Sequence, residues 1–276
     1  MLTKTWEQRL LILCKTYPSP SAKYVETSCV AGMDENGRLI RLFPVPFRMI
    51  RNDQQFKKYQ WITARIQKTG DDHRPESHRI FTDELAIGET LATDNRWEAR
   101  RQLLDRLSVF DDFDALEAAR QHSGISLGLL RPERVDALKI TPVANPDWTD
   151  DERVKLLQAQ NQGSLFEEAE RRELALLKKM PFDFHYAYTC VTTTGEKCYQ
   201  HKIVDWEAGA LYWNVRRGHG TGWEAPFRDK IERDLPQQDL MFLMGTIHRF
   251  PNQWLIVSLI YPPRMRPEPK RQGLLF

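Results

Sequence analysis

In the first third of the chain, apolar and polar positions alternate in short runs, which is typical of β-strands. The segment "RLLILCKTYP" is a short apolar run that leads into a proline-punctuated loop. The segment "ETSCVAGMDENGRLIRLFPVPF" predicts a hairpin with strands over 27–33 and 38–45, in which Gly37 of "DENG" takes a positive φ. A third run, "YQWITARIQKT", alternates with period two. Short strands separated by turn signals predict a small β-barrel.

From Asn95 the spacing of the apolar residues becomes helical. The segments "RWEARRQLLDRLSVF" and "DDFDALEAARQH" predict two amphipathic helices. The next segment, "SLGLLRPERVDALKITPV", has an extended pattern and could return to the barrel. A charged stretch over 146–180 then predicts a connector of two helices with a break at 161–164.

A second β-rich unit follows the connector. The segments "FDFHYAYTCV", "LMFLMGTIHR" and "WLIVSLIYPP" predict strands, and "DWEAGALYWNVRR" predicts a helix. The tail "RMRPEPKRQGLLF" is rich in proline and charge, which predicts a flexible arm. The predicted fold class is α+β, with a barrel-rich domain over 1–145, the connector over 146–180, a smaller C-terminal α+β domain over 181–263 and a docking tail over 264–276.

Composition limits the classes of function. Forty Lys and Arg against 38 Asp and Glu give a formal net charge of only +2, so any basic surface for nucleic acid must be local. No apolar run approaches the roughly eighteen residues of a membrane span, and the N-terminus lacks a signal-peptide pattern, so we expect a cytoplasmic protein. The four cysteines are then expected to be thiols or metal ligands rather than disulfides.

Several segments resemble a known family. The stretches "KTYPSPSAKYVETSCVAG", "GRLIRLFPVPFR" and "DDHRPESHRI" resemble the N-terminal part of a family of uncharacterised bacterial and archaeal proteins. The hairpin "CVAGMDENGRLIRLFP" resembles the tandem OB-fold modules of prokaryotic conflict and defence proteins, and "HKIVDWEAGALYWN" with "GTIHRFPNQWLIVSLIYPP" resembles the C-terminal half of the same uncharacterised family. The resemblance implies an OB-like barrel with a helical insert that associates with DNA or nucleotides, and it implies no catalytic mechanism.

Lysines and arginines interleave with aromatic residues in the predicted barrel domain. On a single-stranded nucleic-acid face, such cations follow the phosphates and the rings stack on bases. The same side chains could instead solvate the rim of the barrel. The candidate nucleic-acid-binding residues are Lys15, Tyr17, Lys23, Tyr24, Arg41, Arg48 and Arg74.

The pattern Gln-Gly-x-Leu-Phe occurs twice, as "QGSLF" in the connector and as "QGLLF" at the end of the tail. Both copies resemble the bacterial sliding-clamp-binding motif, in which a Leu-Phe pair enters an apolar pocket and the Gln amide binds at its rim. Alternatively, each Leu-Phe pair packs on its own domain, which is the favoured interpretation for the internal copy. The candidate docking residues are Gln162, Leu165, Phe166, Gln272, Leu274, Leu275 and Phe276.

A Cys/His pattern in the C-terminal domain suits a structural zinc ion. Cys190, Cys198 and His201 have the spacing C-x7-C-x2-H, and His248 could be a fourth ligand. Zinc would staple a small β-rich unit without implying catalysis. The alternative is a pair of half-buried cysteines on a hairpin beside an exposed histidine.

The leading hypothesis is a DNA-associated accessory or antiviral defence protein that is not obviously an enzyme. It would bind nucleic acid through its barrel and dock on a protein partner, for which the DNA sliding clamp is the candidate. The alternative is a metal-dependent nuclease or nucleotide-processing effector that uses carboxylates of the first domain or the Cys/His cluster. However, "RIQK" has Gln67 where the usual Asp…Glu-x-Lys nuclease strand has an acidic residue.

Overall fold

A computed structural model describes residues 4–21, 25–152, 154 and 178–265. In its N-terminal part, five strands close into a barrel, and a short sixth strand extends one edge. The strands are β1 (Thr5–Lys15), β2 (Ser19–Ser21), β3 (Val25–Met33), β4 (Leu39–Val45), β5 (Gln60–Lys68) and β6 (Ser77–Thr90). Their order is β1-β5-β6-β4-β3, with β2 beside β3, and β3 pairs back on β1 to close the barrel.

The strand order identifies the type of barrel. Counting β1, β3, β4, β5 and β6 as the first to fifth barrel strands, the first pairs with the second and the fourth, and the third pairs with the fifth. The third and fifth strands, β4 and β6, run parallel, whereas the other pairs are antiparallel. This arrangement is the five-stranded Greek-key barrel of the OB fold. The OB-like barrel expected from the sequence is therefore confirmed.

Alternation along the strands fills the barrel. Leu10 and Ile12 of β1, Leu42 of β4 and Ile62 of β5 are buried in the same interior cluster. The predicted hairpin between β3 and β4 is present, with Gly37 at φ 81° in its turn. The side chains on the other face of these strands point away from the barrel interior, and this outer face positions the site described below.

The C-terminal part is a seven-stranded sheet with helices packed against it. Its strands are β7 (Val109–Phe110), β8 (Leu127–Leu130), β9 (Arg134–Pro142), β10 (Phe182–Thr192), β11 (Gly195–Ile203), β12 (Met241–Ile247) and β13 (Phe250–Ile260), in the order β7-β8-β12-β13-β11-β10-β9. The helices are α1 (Asp94–Leu104), α2 (Phe113–Ser123), α3 (Trp206–His219) and α4 (Glu224–Arg228). Helices α2, α3 and α4 pack on one face of the sheet, whereas Leu104 of α1 packs in the cluster between the sheet and the barrel. No helix in the described ranges is both long and apolar enough to cross a bilayer.

The segment that was expected to return to the barrel joins this second sheet instead. Strand β8 pairs with β12, and β9 pairs with β10. The physical reason is visible in "LGLL", because Leu127 and Leu129 pack toward the barrel while Leu130 packs into the helix-covered core. A strand that is apolar on both faces is stable only inside a layered structure.

An apolar layer joins the barrel to the sheet. Leu11 and Leu13 of β1 share a buried cluster with Met241 and Leu243 of β12 and with Val257 of β13. Burying a side chain of this size is worth about 1.5–3 kcal/mol. The two parts therefore meet through a hydrophobic interface, and the β8–β12–β13 centre of the sheet lies against the outside of the barrel.

The carboxylate of Asp205 connects three elements at this interface. One oxygen accepts the backbone N–H of Glu207 at 2.7 Å as the N-cap of α3, and the other accepts the N–H of Leu259 in β13 at 2.7 Å. The ammonium of Lys58, which comes from the loop before β5, lies 3.8 Å from the same carboxylate and donates to the carbonyl of Leu259 at 2.7 Å. Asp205 is only 4% exposed, so these bonds form in a low-dielectric setting.

Replacing Asp205 tests this connection. Asp205→Ala removes a helix cap, leaves the buried Leu259 N–H without an acceptor and removes one of the two carboxylates beside the Lys58 ammonium, the other being Glu207 at 3.2 Å. We expect the free energy of unfolding to fall by about 2–4 kcal/mol, from the lost cap and the unsatisfied N–H together, measured by urea denaturation at pH 7. Asp112→Ala is the matched control, since Asp112 caps α2 through one bond to Ala115 N, and we expect it to cost about 1 kcal/mol. Equal losses in both variants would contradict the assigned role of Asp205.

Candidate nucleic-acid interface

The outer face of β3 and β4 is divided into a covered half and an open half. Ala31, Met33 and Leu39 pack against the C-terminal sheet. Beside them, the same face opens into a cleft. The residues that these two strands contribute to the cleft wall are Thr27, Cys29, Arg41 and Phe43.

The cleft has a volume of about 750 Å³, which lies in the range of small-molecule sites. Its opposite wall comes from the C-terminal part. That wall contains Phe182 and Phe184 of β10, Lys202 and Ile203 of β11, Ala208 and Gly209 of α3, Gly245 to Ile247 at the end of β12, and His248 and Arg249 in the turn to β13. The site thus depends on both parts of the chain.

Two barrel loops complete the cleft. Tyr17 and Pro18 follow the first barrel strand, and Arg74 lies in the loop between the fourth and fifth barrel strands. In OB folds, oligonucleotides bind on the face of the second and third strands and between these same two loops. The cleft therefore lies where an OB barrel presents its binding face.

Positive side chains outnumber carboxylates along the cleft. Five Lys or Arg residues line it against two Asp residues, and they are Arg41, Arg74, Lys179, Lys202 and Arg249. Three of these cations already have partners: Lys202 pairs with Asp183 at 2.6 Å, Lys179 with Glu152 at 2.6 Å and Arg74 with Asp72 at 2.6 Å. Arg41 and Arg249 have no carboxylate partner among the described residues.

Arg41 lies in the interior rather than on a surface. It is 1% exposed, and its guanidinium donates to the carbonyls of Ser126 at 2.7 Å and Thr246 at 3.3 Å. Arg74 donates to the same Thr246 carbonyl at 2.7 Å. Glu76 adds a further contact, because its carboxylate accepts hydrogen bonds from the backbone N–H and the hydroxyl of Ser126. These bonds set the distance between the barrel and the C-terminal sheet at the base of the cleft.

The ring of Tyr17 is held against α3. Trp213 donates to the Tyr17 hydroxyl at 2.9 Å, and that hydroxyl donates to the carbonyl of Lys178 at 2.8 Å. A Cβ at Gly209 would lie 2.4 Å from the Tyr17 ring, so only glycine permits this close approach. Tyr17 is therefore a rigid part of the cleft wall.

The other predicted nucleic-acid residues lie elsewhere. Lys15 donates to the carbonyl of Phe56 at 3.0 Å and lies 3.7 Å from the Phe47 ring centroid, and burial lowers its pKa to about 8. Arg48 is half-buried in the turn after β4 and does not line the cleft. Lys23 and Tyr24 are outside the described residues. The structure therefore brings together Tyr17, Arg41 and Arg74 from the predicted set.

Some cleft residues were not predicted from the sequence. Phe43 is 40% exposed, and Arg249 is exposed at the rim. Phe43 had a visible signal, because alternation along β4 puts Ile40 and Leu42 inside the barrel and leaves the apolar side chain of Phe43 on the outer face. No sequence signal indicated Thr246 or Arg249, because only the tertiary fold brings the end of β12 and the turn that follows it beside the barrel.

The predicted zinc ligands are separated in space. Cys190 is buried in the core on one face of β10, whereas Cys198 is exposed and contacts Thr189 on the other face. The Nδ1 of His201 lies 2.9 Å from the Tyr188 hydroxyl, and His248 Nε2 lies 3.1 Å from the carbonyl of Asp71. Within the described ranges, no three or more His, Cys, Asp or Glu side chains are grouped so that they could hold a metal ion. Zinc binding stays a prediction from the sequence.

The docking residues Gln162, Leu165, Phe166, Gln272, Leu274, Leu275 and Phe276 all lie outside the described residues. Their proposed contacts stay predictions from the sequence.

The fold defines an α+β protein in which an OB-like barrel packs against a larger mixed sheet. Residues 109–275 match the family described as Domain of unknown function (DUF8757), and the chain belongs to this family. Residues 6–106 match a second family, Domain of unknown function (DUF8758). The junction between the two matches lies between α1 and β7, whereas the sequence pattern placed the end of the first domain at 145.

No curated protein matches the chain. Among solved structures, the chain is similar to one in "Structure and Conformational Change of a Replication Protein A Heterotrimer Bound to ssDNA", at 11% identity and a TM-score of 0.25. The match covers 94% of this chain, which spans just under two thirds (66%) of the length of that chain. A likeness this weak supports no functional conclusion.

The partly buried imidazole of His201 predicts a pH dependence. Burial lowers the pKa of His201 to about 4, from 6.5 in an exposed histidine. Its contribution to stability is therefore complete above pH 6.5 and is lost as the pH falls toward 4. We expect the wild-type protein to lose about 1–2 kcal/mol more unfolding free energy between pH 7 and pH 5 than His201→Gln, measured by urea denaturation. The same pH dependence in both proteins would contradict a partly buried neutral His201.

Proposed function

We propose that the cleft between the β3–β4 face and the C-terminal sheet binds single-stranded nucleic acid. The observation that carries the proposal is the open half of the outer β3–β4 face, which lies between the two barrel loops that bind oligonucleotides in OB folds. With a net charge of only +2, binding has to depend on this local surface.

Phe43 is suited to stack on a base. It lines the cleft on the third barrel strand and is 40% exposed, so part of its side chain is open to a ligand. Stacking on an aromatic side chain is worth about 1–3 kcal/mol per base and tolerates any sequence. Together with Tyr17 on the neighbouring loop, Phe43 gives the cleft the aromatic surface that single strands require.

Arg249 is suited to contact a phosphate. Its side chain lies at the rim of the cleft and forms no ion pair in the described parts of the chain. An exposed arginine that binds a backbone phosphate releases condensed counterions from the strand. This contact is expected to contribute affinity and salt dependence without sequence preference.

Binding of a 12-nucleotide single strand, followed by fluorescence anisotropy for DNA and RNA, tests the proposal. Phe43→Ala should weaken binding about 5- to 100-fold, and Arg249→Ala should lower the salt slope by about 1. Arg217→Ala is the matched control, because Arg217 is exposed on α3 and does not line the cleft. The proposal fails if the parent binds neither strand at about 50 mM salt, or if the Phe43 and Arg249 variants equal the parent.

The finer parts of the hypothesis rest on sequence alone. They are docking on a sliding clamp, an accessory or defence role, and the alternative of a metal-dependent nuclease or nucleotide-processing enzyme. The docking part is supported by the repeated Gln-Gly-x-Leu-Phe pattern and by the proline-rich segment before the second copy.

Removing residues 272–276 tests the docking part directly. If the Leu-Phe pair enters a clamp pocket, this deletion should abolish binding to purified clamp while leaving binding to single strands unchanged. Surface-coupled clamp and isothermal titration would measure the loss, and Gln162→Ala with Phe166→Ala would test the internal copy separately. Unchanged clamp affinity after the deletion, or none before it, removes the clamp from the proposal.

A further inference from the structure

The cleft is closed at one end. Arg41 lies at that end and is 1% exposed; Ala31, which lies opposite Arg41 on β3, and Leu39, the next residue of β4 on the same face, are packed against the C-terminal sheet. On an open OB barrel, a strand can continue across the second and third strands. Here the sheet covers that route, so a strand entering at Phe43 has no path past Arg41.

The closed end has hydrogen-bonding groups that the protein does not use. Arg41 Nε and Thr246 Oγ1 are both buried, both residues line the cleft, and neither atom has a partner in the described part of the chain. Buried polar groups without a partner are uncommon in native proteins. The two residues supply one charged N–H donor and one hydroxyl, and both kinds of group form hydrogen bonds to phosphate oxygens.

Charge points to the same kind of ligand. The guanidinium of Arg41 donates only to carbonyl oxygens, so no carboxylate is hydrogen-bonded to its charge. A cation within low-dielectric walls raises the positive potential of the adjoining cleft. A terminal phosphate carries about −1.5 to −2 charges at neutral pH, against −1 for a phosphate within a strand. The closed end therefore favours a terminal phosphate over an internal one.

We propose that the closed end of the cleft receives the terminal nucleotide of a single strand, with its terminal phosphate directed toward Arg41 and Thr246. This inference rests on the proposed function and specifies the ligand as a strand end. Phe43 and Arg249 then contact the neighbouring nucleotides nearer the mouth of the cleft. A free nucleoside monophosphate has the same chemistry, and the test below separates the two sources.

Competition between strands with and without ends tests the inference. The linear probes are 12-nucleotide strands with an internal fluorophore, and each carries a 5′-phosphate, a 3′-phosphate or no phosphate. A covalently closed circle of the same sequence has no ends. Adenosine 5′-monophosphate serves as a competitor. We expect a phosphorylated linear strand to bind at least tenfold more tightly than the circle. A preference for either phosphorylated end supports the inference and gives the polarity of the bound strand.

Thr246→Val separates ligand binding from folding. The hydroxyl of Thr246 makes no hydrogen bond within the described residues, and valine keeps the shape and the backbone carbonyl that Arg41 and Arg74 use. We expect a melting temperature no lower than that of the parent, about tenfold weaker binding of the phosphorylated end, and a correspondingly smaller preference for the phosphorylated linear strand over the circle. Thr69→Val is the matched control, because the Thr69 hydroxyl is also buried without a partner but Thr69 does not line the cleft.

The outcomes distinguish this inference from the function on which it rests. Equal binding of linear and circular strands, with Thr246→Val equal to the parent, overturns the strand-end inference and leaves single-strand binding intact. Binding of the monophosphate that Thr246→Val weakens, without binding of any strand, overturns the proposed function and identifies a free nucleotide as the ligand. No binding of any probe overturns both.

Discussion

The guanidinium of Arg41 is the contact on which the arrangement of the two parts depends. It extends from a barrel strand to the carbonyls of Ser126 and Thr246, which belong to the ends of two neighbouring strands in the C-terminal sheet. Hydrogen bonds from a charged group are worth about 1.5–3 kcal/mol each. Because Arg74 and Glu76 bond to the same two residues, the loop between the fourth and fifth barrel strands is fixed to the sheet as well. The cleft keeps its shape because one of its ends is joined in this way.

Removing the Arg41 guanidinium from water costs free energy, so the groups around it indicate what an arginine does at this position. Burial lowers the pKa of Arg41, yet an arginine side chain stays charged in proteins. An apolar residue would bridge barrel and sheet without the cost of removing a charge from water. The position therefore combines a structural contact with a positive charge beside the cleft, and the second property is what an anionic ligand would use.

Local patterns predicted more of the fold than of the site. Alternation and the turn at Gly37 predicted the β3–β4 hairpin, and the pattern of "DWEAGALYWNVRR" predicted α3. The contact between Arg41 and Thr246 spans 205 positions, and no local pattern reports on it. Arginine is usually exposed, so the sequence placed Arg41 on a surface. Likewise, the spacing of Cys190 and Cys198 suggested a shared ligand, while the alternation of side chains across β10 and β11 separates them.

The position of the cleft also determines whether the two matched domains can be separated without loss of the binding surface. Arg41 and Phe43 lie within the first match, whereas Thr246 and Arg249 lie within the second. A barrel without its sheet would expose the apolar half of its outer face and would lose one wall of the cleft. Although two domains are recognised along the chain, the binding surface is not modular: neither domain contains a complete copy, and transplanting either one into another protein would not carry the site with it.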